Sequence, residues 1–276
     1  MDTANAGQGL RTVFKLVFIV GAVIALYYLY QYLFVRAAEK SVTIFQPVKN
    51  VNQVQPLVKT SDTFPPLLEG GEYSVSFWMY VQNWGARAGY NKHILSIGAP
   101  NNGFYTLVAY LGANTNTLHI RLQAGDVSSG SGPSAIPALT NKNVTDMFAQ
   151  PVVGTPPTSA GFACDIPNIE LQRWILVNIV LNGNAVDVYI DGKLARSVVA
   201  PSFYRVPSGG YQLTAHGSDG FGGYMSNLQL SSVAMNPEEA NRMYQAGPVG
   251  ISSFLEWLKS FFDPNAMENM LYPKMN

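Results

Sequence analysis

Hydrophobic residues are laid out in three ways along this chain, and each predicts a different element. From Leu16 to Val35 the run LVFIVGAVIALYYLYQYLFV holds one strongly polar side chain, Gln31, and is long enough to cross a hydrocarbon core as one helix. From Glu72 the pattern becomes alternation. EYSVSFWMYV places Tyr73, Val75, Phe77, Met79 and Val81 on one strand face and Ser74, Ser76, Trp78 and Tyr80 on the other. Both faces are partly apolar, which predicts a central strand covered on each side. HILSI from His93, FYTLVAYL from Phe104 and LHIRLQ from Leu118 are further strands, the last with Leu118, Ile120 and Leu122 separated by polar residues. In SSFLEWLKSFFDP the spacing changes again. Phe254, Leu255, Leu258, Phe261 and Phe262 recur with helical period beside Trp257, Ser253 and Glu256 fit a capping box, and Pro264 ends the helix. This apolar stripe needs a docking surface: the sandwich, a membrane interface or another protein.

Turns and caps refine the picture. In RWILVNIVLNGNAVDVYIDGKLARSVV, Ile175, Val177, Ile179 and Leu181 alternate, NGN turns the chain, Val186, Val188 and Ile190 alternate again, and DG turns it once more. Three successive antiparallel strands result. Asp191 before Gly192 belongs to the turn, where its carboxylate accepts local backbone hydrogen bonds, and Asp187 is expected on a solvated outer face. NPEEANRMYQAGP is a short helix, with Asn236 as N-cap, Pro237 at the first position, Glu239 three residues on and Gly247 at the end. Two stretches lack a sustained period. Ser41 to Gly70 carries Pro47, Pro56, Pro65 and Pro66 and reads as an extended stem, in which VTIF and PLV have strand character. Ala124 to Ile169 is dominated by Gly, Ser, Pro, Thr and Ala and reads as an elaborated loop, either an insertion or a contact arm. The predicted order is a tail (1–15), a transmembrane helix (16–35), a stem (36–70), a β-domain (71–248) with a loop insertion at 124–169, and an amphipathic helix with its tail (249–276).

Composition narrows the function classes. The 276 residues are 47% hydrophobic and only 12% charged, with a formal net charge of zero, so binding nucleic acid through a basic face is excluded. So little charge predicts a surface lying against lipid or protein. The one cysteine, Cys164, excludes an intramolecular disulfide and Cys-based zinc sites, and reads as a small buried hydrophobe. Tyr27, Tyr28, Tyr30 and Tyr32 crowd the C-terminal half of the apolar run, as rings at a membrane interface do. Arg36 in FVRAAEK argues against signal cleavage after Ala38. Arg11 and Lys15 balance Arg36 and Lys40, so charge does not orient the helix. NVT at Asn143 is a glycosylation triplet for a lumenal domain.

The order of YSVSFWMYV, LQRWILVNIVLNGNAVDVYIDGKLARS and GGYMSNLQLSSVAMNPEEANRMYQAGP resembles the laminin G-like branch of the concanavalin A-like lectin/glucanase superfamily, over roughly Val42 to Pro248. Trp174 before a long strand, the YIDGKL hairpin and the closing strand followed by a short helix carry the resemblance. The approach CDIPNIELQRW from Cys164 is most similar to membrane-anchored members encoded by large nucleocytoplasmic DNA viruses. The resemblance implies an all-β fold, a two-sheet antiparallel jelly roll.

Such a fold hosts several functions. Hydrolases of the superfamily place carboxylates as Glu-x-Asp-x-x-Glu; this chain has no Glu-x-Asp, so no enzyme is expected. Asp126 and Asp219 are weak calcium candidates, each without an acidic neighbour, and no cofactor is expected. Trp84, Tyr90, Tyr110 and Asn114 are candidates for contact with a glycan or a partner, as aromatics beside an amide. His93, His119 and His216 fall on separate strands without ligand-like spacing. The first reading is a non-enzymatic, single-pass membrane protein binding lipid and protein: a viral minor capsid component tethering the shell to the virion's inner membrane. A membrane-anchored lectin is the alternative, and a glycoside hydrolase the third.

Overall fold

In a computed structural model, the structure describes residues 15, 17–26, 29, 41–46, 48–51, 56–60, 62, 66–99, 103–125, 137–152, 160–208, 210–217 and 219–248. The chain divides into two units, Met1–Ser41 and Val42–Asn276. In the first, residues 17–26 are helical and their side chains exposed, Phe18 at 79%. Among the described residues no helix is long and apolar enough to cross a membrane. Tyr27, Tyr28, Tyr30 and Tyr32 lie outside the described residues. So do Asp126 and the docking stripe of Phe254, Leu255, Trp257, Leu258, Phe261 and Phe262.

The second unit is all-β. Its strands are β1 (Ser41–Phe45), β2 (Lys49–Asn50), β3 (Leu57–Thr60), β4 (Glu72–Asn83), β5 (Lys92–Gly98), β6 (Tyr105–Leu111), β7 (Leu118–Leu122), β8 (Phe162–Ile166), β9 (Trp174–Asn182), β10 (Ala185–Ile190), β11 (Lys193–Val199), β12 (Gln212–Ala215) and β13 (Gly222–Ser231). Sheet A runs β1-β13-β4-β9-β10-β11, with β2 also on β13, and sheet B runs β3-β12-β5-β6-β7-β8. The residues of the expected stem thus supply strands to both sheets. Two short helices complete the unit, α1 (Asn141–Ala149) and α2 (Pro237–Ala246).

Alternation builds the core between the sheets. Tyr73, Val75, Phe77, Met79 and Val81 of β4 and Ile175, Val177, Ile179 and Leu181 of β9 face Leu95, Ile97, Leu107, Ala109, Ile120 and Leu213 of sheet B, and Cys164 is buried among them. The outer face of sheet A is apolar as well, and α2 covers it. Trp78 stacks on Tyr244 at 5.8 Å, and Ala240 packs against Val180 and Tyr189. Asn236, the expected N-cap, forms a capping box with Glu239, a device worth about 1 kcal/mol. Ser74 on the covered face accepts from Met235 N at 2.8 Å and donates to Val233 O at 2.7 Å.

Two readings change in the structure. The stretch 124–169 contains α1 and β8 rather than loop alone. Only Val144 and Phe148 of α1 are buried, too few to set a period. Asp191 does more than turn the chain. At φ +53° its Oδ1 accepts from Leu176 N at 2.9 Å and its Oδ2 from Arg173 Nη2 at 2.5 Å, tying the hairpin tip to the start of β9.

The neighbouring glycine gives a test. Gly192 sits at φ +74°, and a Cβ there would meet Asn241 Cα of α2 at 2.8 Å. Gly183, in the preceding turn at φ +62°, has its nearest such neighbour at 3.7 Å. Gly192→Ala is expected to lower stability by at least ~2 kcal/mol and Gly183→Ala by about 1 kcal/mol. Asp187→Asn is expected to stay within about 0.5 kcal/mol. Equilibrium denaturation of the three variants checks this; equal losses at the two glycines would mean that α2 does not press on the turn.

Candidate functional site

The outer face of sheet B differs in kind from that of sheet A. Register aligns two rows of residues across it: Thr214, Ser96, Val108, Arg121 and Ala163, and beside them His93, Tyr110, His119 and Asp165. Six polar residues near this face are buried: His93, Ser96, Thr106, Arg121, Gln123 and His216. The segment bearing α1 crosses the middle of it. Leu139, Val144, Phe148 and Ala160 cover Val108 and Tyr110, and Gln123 Oε1 accepts from Leu139 N at 2.7 Å.

Side chains from elsewhere hold α1 in place. Thr140 caps its N-terminus, accepting from Asn143 N at 3.3 Å. At the C-terminal end, where α1 has no basic residue of its own, Arg87 Nη2 donates to Phe148 O at 2.6 Å and Asn91 Nδ2 to Met147 O at 3.0 Å. Arg87 also pairs with the Asp219 carboxylate.

Between α1 and the β5–β12 side of the sheet lies a cleft of about 260 Å³. Sheet B gives it His93, Ser96, Tyr105 and Thr214; the turn after β12 gives His216 and Asp219; α1 gives Val144, Thr145 and Phe148. His93 donates its backbone N–H to Asp219 O at 2.7 Å, and its ring stands edge-on to Phe148 at 5.2 Å. Burial lowers its pKa to about 4; the Asp219 charge opposes that shift, while His216 and Arg87 reinforce it. His216 is 4% exposed, sits at φ +47°, and has neither ring nitrogen hydrogen-bonded. Burial, then Lys49, lowers its pKa as well. Both imidazoles are therefore neutral at pH 7.

On the other side of α1 the polar groups are matched. Arg121 pairs with Asp165, and His119 Nδ1 lies 3.0 Å from the same carboxylate. Burial pushes the Asp165 carboxyl up, but hydrogen bonds from His119 and Arg121 outweigh it and leave the pKa at about 2. Arg121 Nε and Thr106 Oγ1 nonetheless remain buried without partners.

The residues singled out from sequence take other places. Tyr110 is 4% exposed, its ring stacked on His119 at 4.9 Å and edge-on to Phe148 at 5.7 Å. Trp84 carries the Lys92 ammonium 4.4 Å from its ring centroid. That ammonium is buried and donates to the carbonyls of Tyr90, Gly112 and Ala113; burial, then Arg87, lowers its pKa to about 8. Tyr90 lies under the Arg87 guanidinium at 5.3 Å, and Asn114 donates to Val152 O at 3.2 Å. Three of the four, Trp84, Tyr90 and Asn114, thus sit in and around the loop that steadies α1. Among the described residues no group of three or more His, Cys, Asp or Glu is placed to hold a metal, and Asp219 is engaged by Arg87. The histidine signal lay in the sequence, but the convergence of His93 and His216 did not.

No protein-family model and no curated protein matches the chain. Several solved structures are similar to it. The HCR/D F1240A mutant has a TM-score of 0.50 at 11% identity, over 75% of this chain and 46% of that one. The botulinum neurotoxin serotype D binding domain gives 0.49 at 11%, over 72% and 42%. CBM40 of the Ruminococcus gnavus IT-sialidase, solved bound to α2,3-sialyllactose, gives 0.48 at 10%, over 74% and 100%. The chain spans less than half the length of the first two. At 11% identity the first likeness is one of fold alone, an all-β jelly-roll sandwich of two antiparallel sheets, concanavalin A-like in form.

The buried histidines set a pH dependence. An unfolded histidine titrates near 6.5, so on acidification the unfolded chain takes up a proton before His93 does. Stability is expected to be flat from about pH 8 to 6.5, to fall by up to about 3 kcal/mol between there and pH 4, and then to level as His93 itself titrates. His216 adds to the loss in the same direction. Asp165, depressed to about 2, acts in a lower window, its contribution being lost as pH falls below the usual carboxylate range. Melting curves from pH 8 to 3 for wild type and His93→Gln check this; a wild-type midpoint unchanged from pH 7 to 4.5 would mean that His93 is not held neutral.

Proposed function

We propose that this chain is a non-catalytic, carbohydrate-binding domain of lectin type, held at a membrane by its N-terminal apolar segment. One observation carries the first part. A cleft on the outer face of sheet B brings the polar side chains of His93, Ser96, Thr214 and Asp219 together beside the Phe148 ring. A concave site with a few convergent polar groups beside an aromatic ring suits a sugar, which is polar at its hydroxyls and apolar on its ring faces. A single carboxylate, Asp219, lines the cleft, whereas glycoside hydrolysis ordinarily takes two, which supports binding without turnover.

The membrane part rests on residues 17–26, VFIVGAVIAL, whose side chains are all exposed and none charged. Water penalises such a surface and hydrocarbon does not, and Leu16 to Val35 is long enough to span. A second reading, the shell-tethering contact domain of a virion, draws on a different surface. β11 ends sheet A, with Leu194 at 56% and Val199 at 68% exposure, and an exposed strand edge invites protein pairing. Co-purification with shell proteins would favour that reading.

Full-length protein on a broad glycan array is expected to bind a subset of glycans and to release no reducing sugar from them. No binding on the array, or turnover that disappears on mutating a single carboxylate, would overturn the lectin assignment. In carbonate extraction the protein is expected to stay with the membrane pellet and to leave it when residues 16–35 are deleted; extraction of the intact chain would remove the anchor.

A further inference from the structure

We propose that one end of the sandwich is itself a lipid-contact surface, at which Leu68, Val199 and Phe203 enter the bilayer that carries the N-terminal apolar segment. This rests on the anchoring reading above and deepens it. Three connections meet at that end: β3–β4, the β9–β10 turn and β11–β12. Glu72 at the start of β4 is opposite Asn182 at the end of β9, and Ala185 at the start of β10 is opposite Val199 at the end of β11. Leu68 is 67% exposed, Val199 68% and Phe203 56%. The Phe203 ring lies over two of the connections, 3.1 Å from where a Cβ of Gly70 would stand and 3.7 Å from one at Gly183. Both longer loops are braced from beneath. Tyr204, a buried residue, donates its hydroxyl to Leu68 O at 2.5 Å, and Leu67 N donates to Tyr211 Oη at 2.5 Å. The apolar tips are thereby held outward and do not fold back into the core.

What faces this end follows from where the chain enters the sandwich. β1 lies on β13. Just past β1, Gln46 O accepts from Asn227 N at 3.4 Å and from Ser226 Oγ at 2.8 Å, and Lys49 and Asn50 then pair antiparallel with Met225 and Tyr224. Traced back from Gln46, β1 therefore runs toward Ser231, which is opposite Ser74 at the start of β4. Ser41 thus lies at the end that bears Leu68, Val199 and Phe203. Val35, the last residue of the apolar run, is six residue steps before Ser41, a reach of at most about 22 Å. With that run in hydrocarbon, so short a link keeps this end beside the headgroups. The far end is a further ~40 Å away, the length of the 12 residues of β4. It also differs in kind, since its exposed Leu171 and Leu194 stand among Glu170, Arg173 and Lys193. The described residues of the three near connections carry only Asp62, Glu69 and Arg205 as charges, and Glu69 pairs with Arg205 at 3.0 Å. Without a basic excess, the contact comes from apolar insertion and not from attraction to anionic lipid.

The test places full-length protein in phosphatidylcholine vesicles and attaches a fluorophore through Leu68→Cys, Phe203→Cys or, at the far end, Leu194→Cys; the native Cys164 is buried and stays unlabelled. Labels at 68 and 203 are expected to lose fluorescence to nitroxides on the upper acyl chains, the depth of about 5–10 Å reached by interfacial apolar groups, and the label at 194 to keep it. Adding phosphatidylserine or salt should leave that loss unchanged. Leu68→Glu combined with Phe203→Glu should abolish the quenching read from Val199→Cys, while the chain stays in the carbonate-washed pellet. Its melting midpoint should hold, because both side chains are exposed. If Phe203→Cys lowers the midpoint, Leu68→Cys decides alone. Unquenched labels at 68 and 203 in a chain retained by the membrane, or equal quenching at 194, would overturn the inference and leave the anchor standing. A blue-shifted label at 68 without lipid quenching would mean that a protein covers this end, which also overturns it. A chain that leaves the membrane in carbonate would remove anchor and contact together.

Discussion

Two sheets pressed face to face by period-two alternation are the constraint on which the rest of this domain depends. β4 and β9 pair from Glu72 opposite Asn182 to Tyr80 opposite Trp174, and that register sends alternate apolar side chains into the space between the sheets. With the inner faces committed to each other, each outer face needs its own partner. On sheet A the residues left outside include Trp78, Trp174, Leu176 and Val180, and α2 buries them. The same helix comes so close to the β10–β11 turn that Gly192 has no space for a side chain. Turn geometry, helix position and sheet register are thus one linked arrangement.

Sheet B answers the same constraint differently. Its outer positions are mostly polar, so water or a ligand can take the place of a covering layer. α1 covers only the apolar patch at Val108 and Tyr110, and Arg87 and Asn91 hold it by its last carbonyls. On one side of α1 the charges close on themselves through Arg121, Asp165 and His119. On the other side, His216 is buried with nothing to bond to. Buried polar atoms without partners also occur off this face, at Tyr73 Oη, Trp78 Nε1 and Asn178 Oδ1, so what sets sheet B apart is the open cleft that its polar side chains line.

Charge is placed to the same effect. The strong cations near the cleft are committed: Arg87 to Asp219 and to α1, and Lys92 to three carbonyls and the Trp84 ring. The cleft is left polar but nearly neutral. In a chain with 12% charged residues this is sorting of a limited supply, since the cations nearest the cleft are engaged in positioning its surrounding elements.

Much of the fold was legible in the sequence because its signals are local. Alternation assigned the core faces of β4, β7, β9 and β10, paired turn residues assigned the hairpins, and cap residues assigned α2. Each needs only a few neighbouring positions to be read. α1 was not legible: two buried residues on a polar background make no period, and the helix exists because Val108 and Tyr110 offer it a surface. Nor was the site. His93 and His216 stand 123 positions apart in sequence, and only the antiparallel pairing of β5 with β12 brings them to one cleft. Asp191 looked like a turn residue and is one, but its carboxylate is spent on Leu176 and Arg173, at the far end of the preceding hairpin. The sequence by itself determined which residues lie in the core and where the chain reverses, because both follow from the spacing of neighbours. Which polar residues meet, and which of them are left without a partner, was decided by tertiary structure, because it depends on register between strands far apart in the chain.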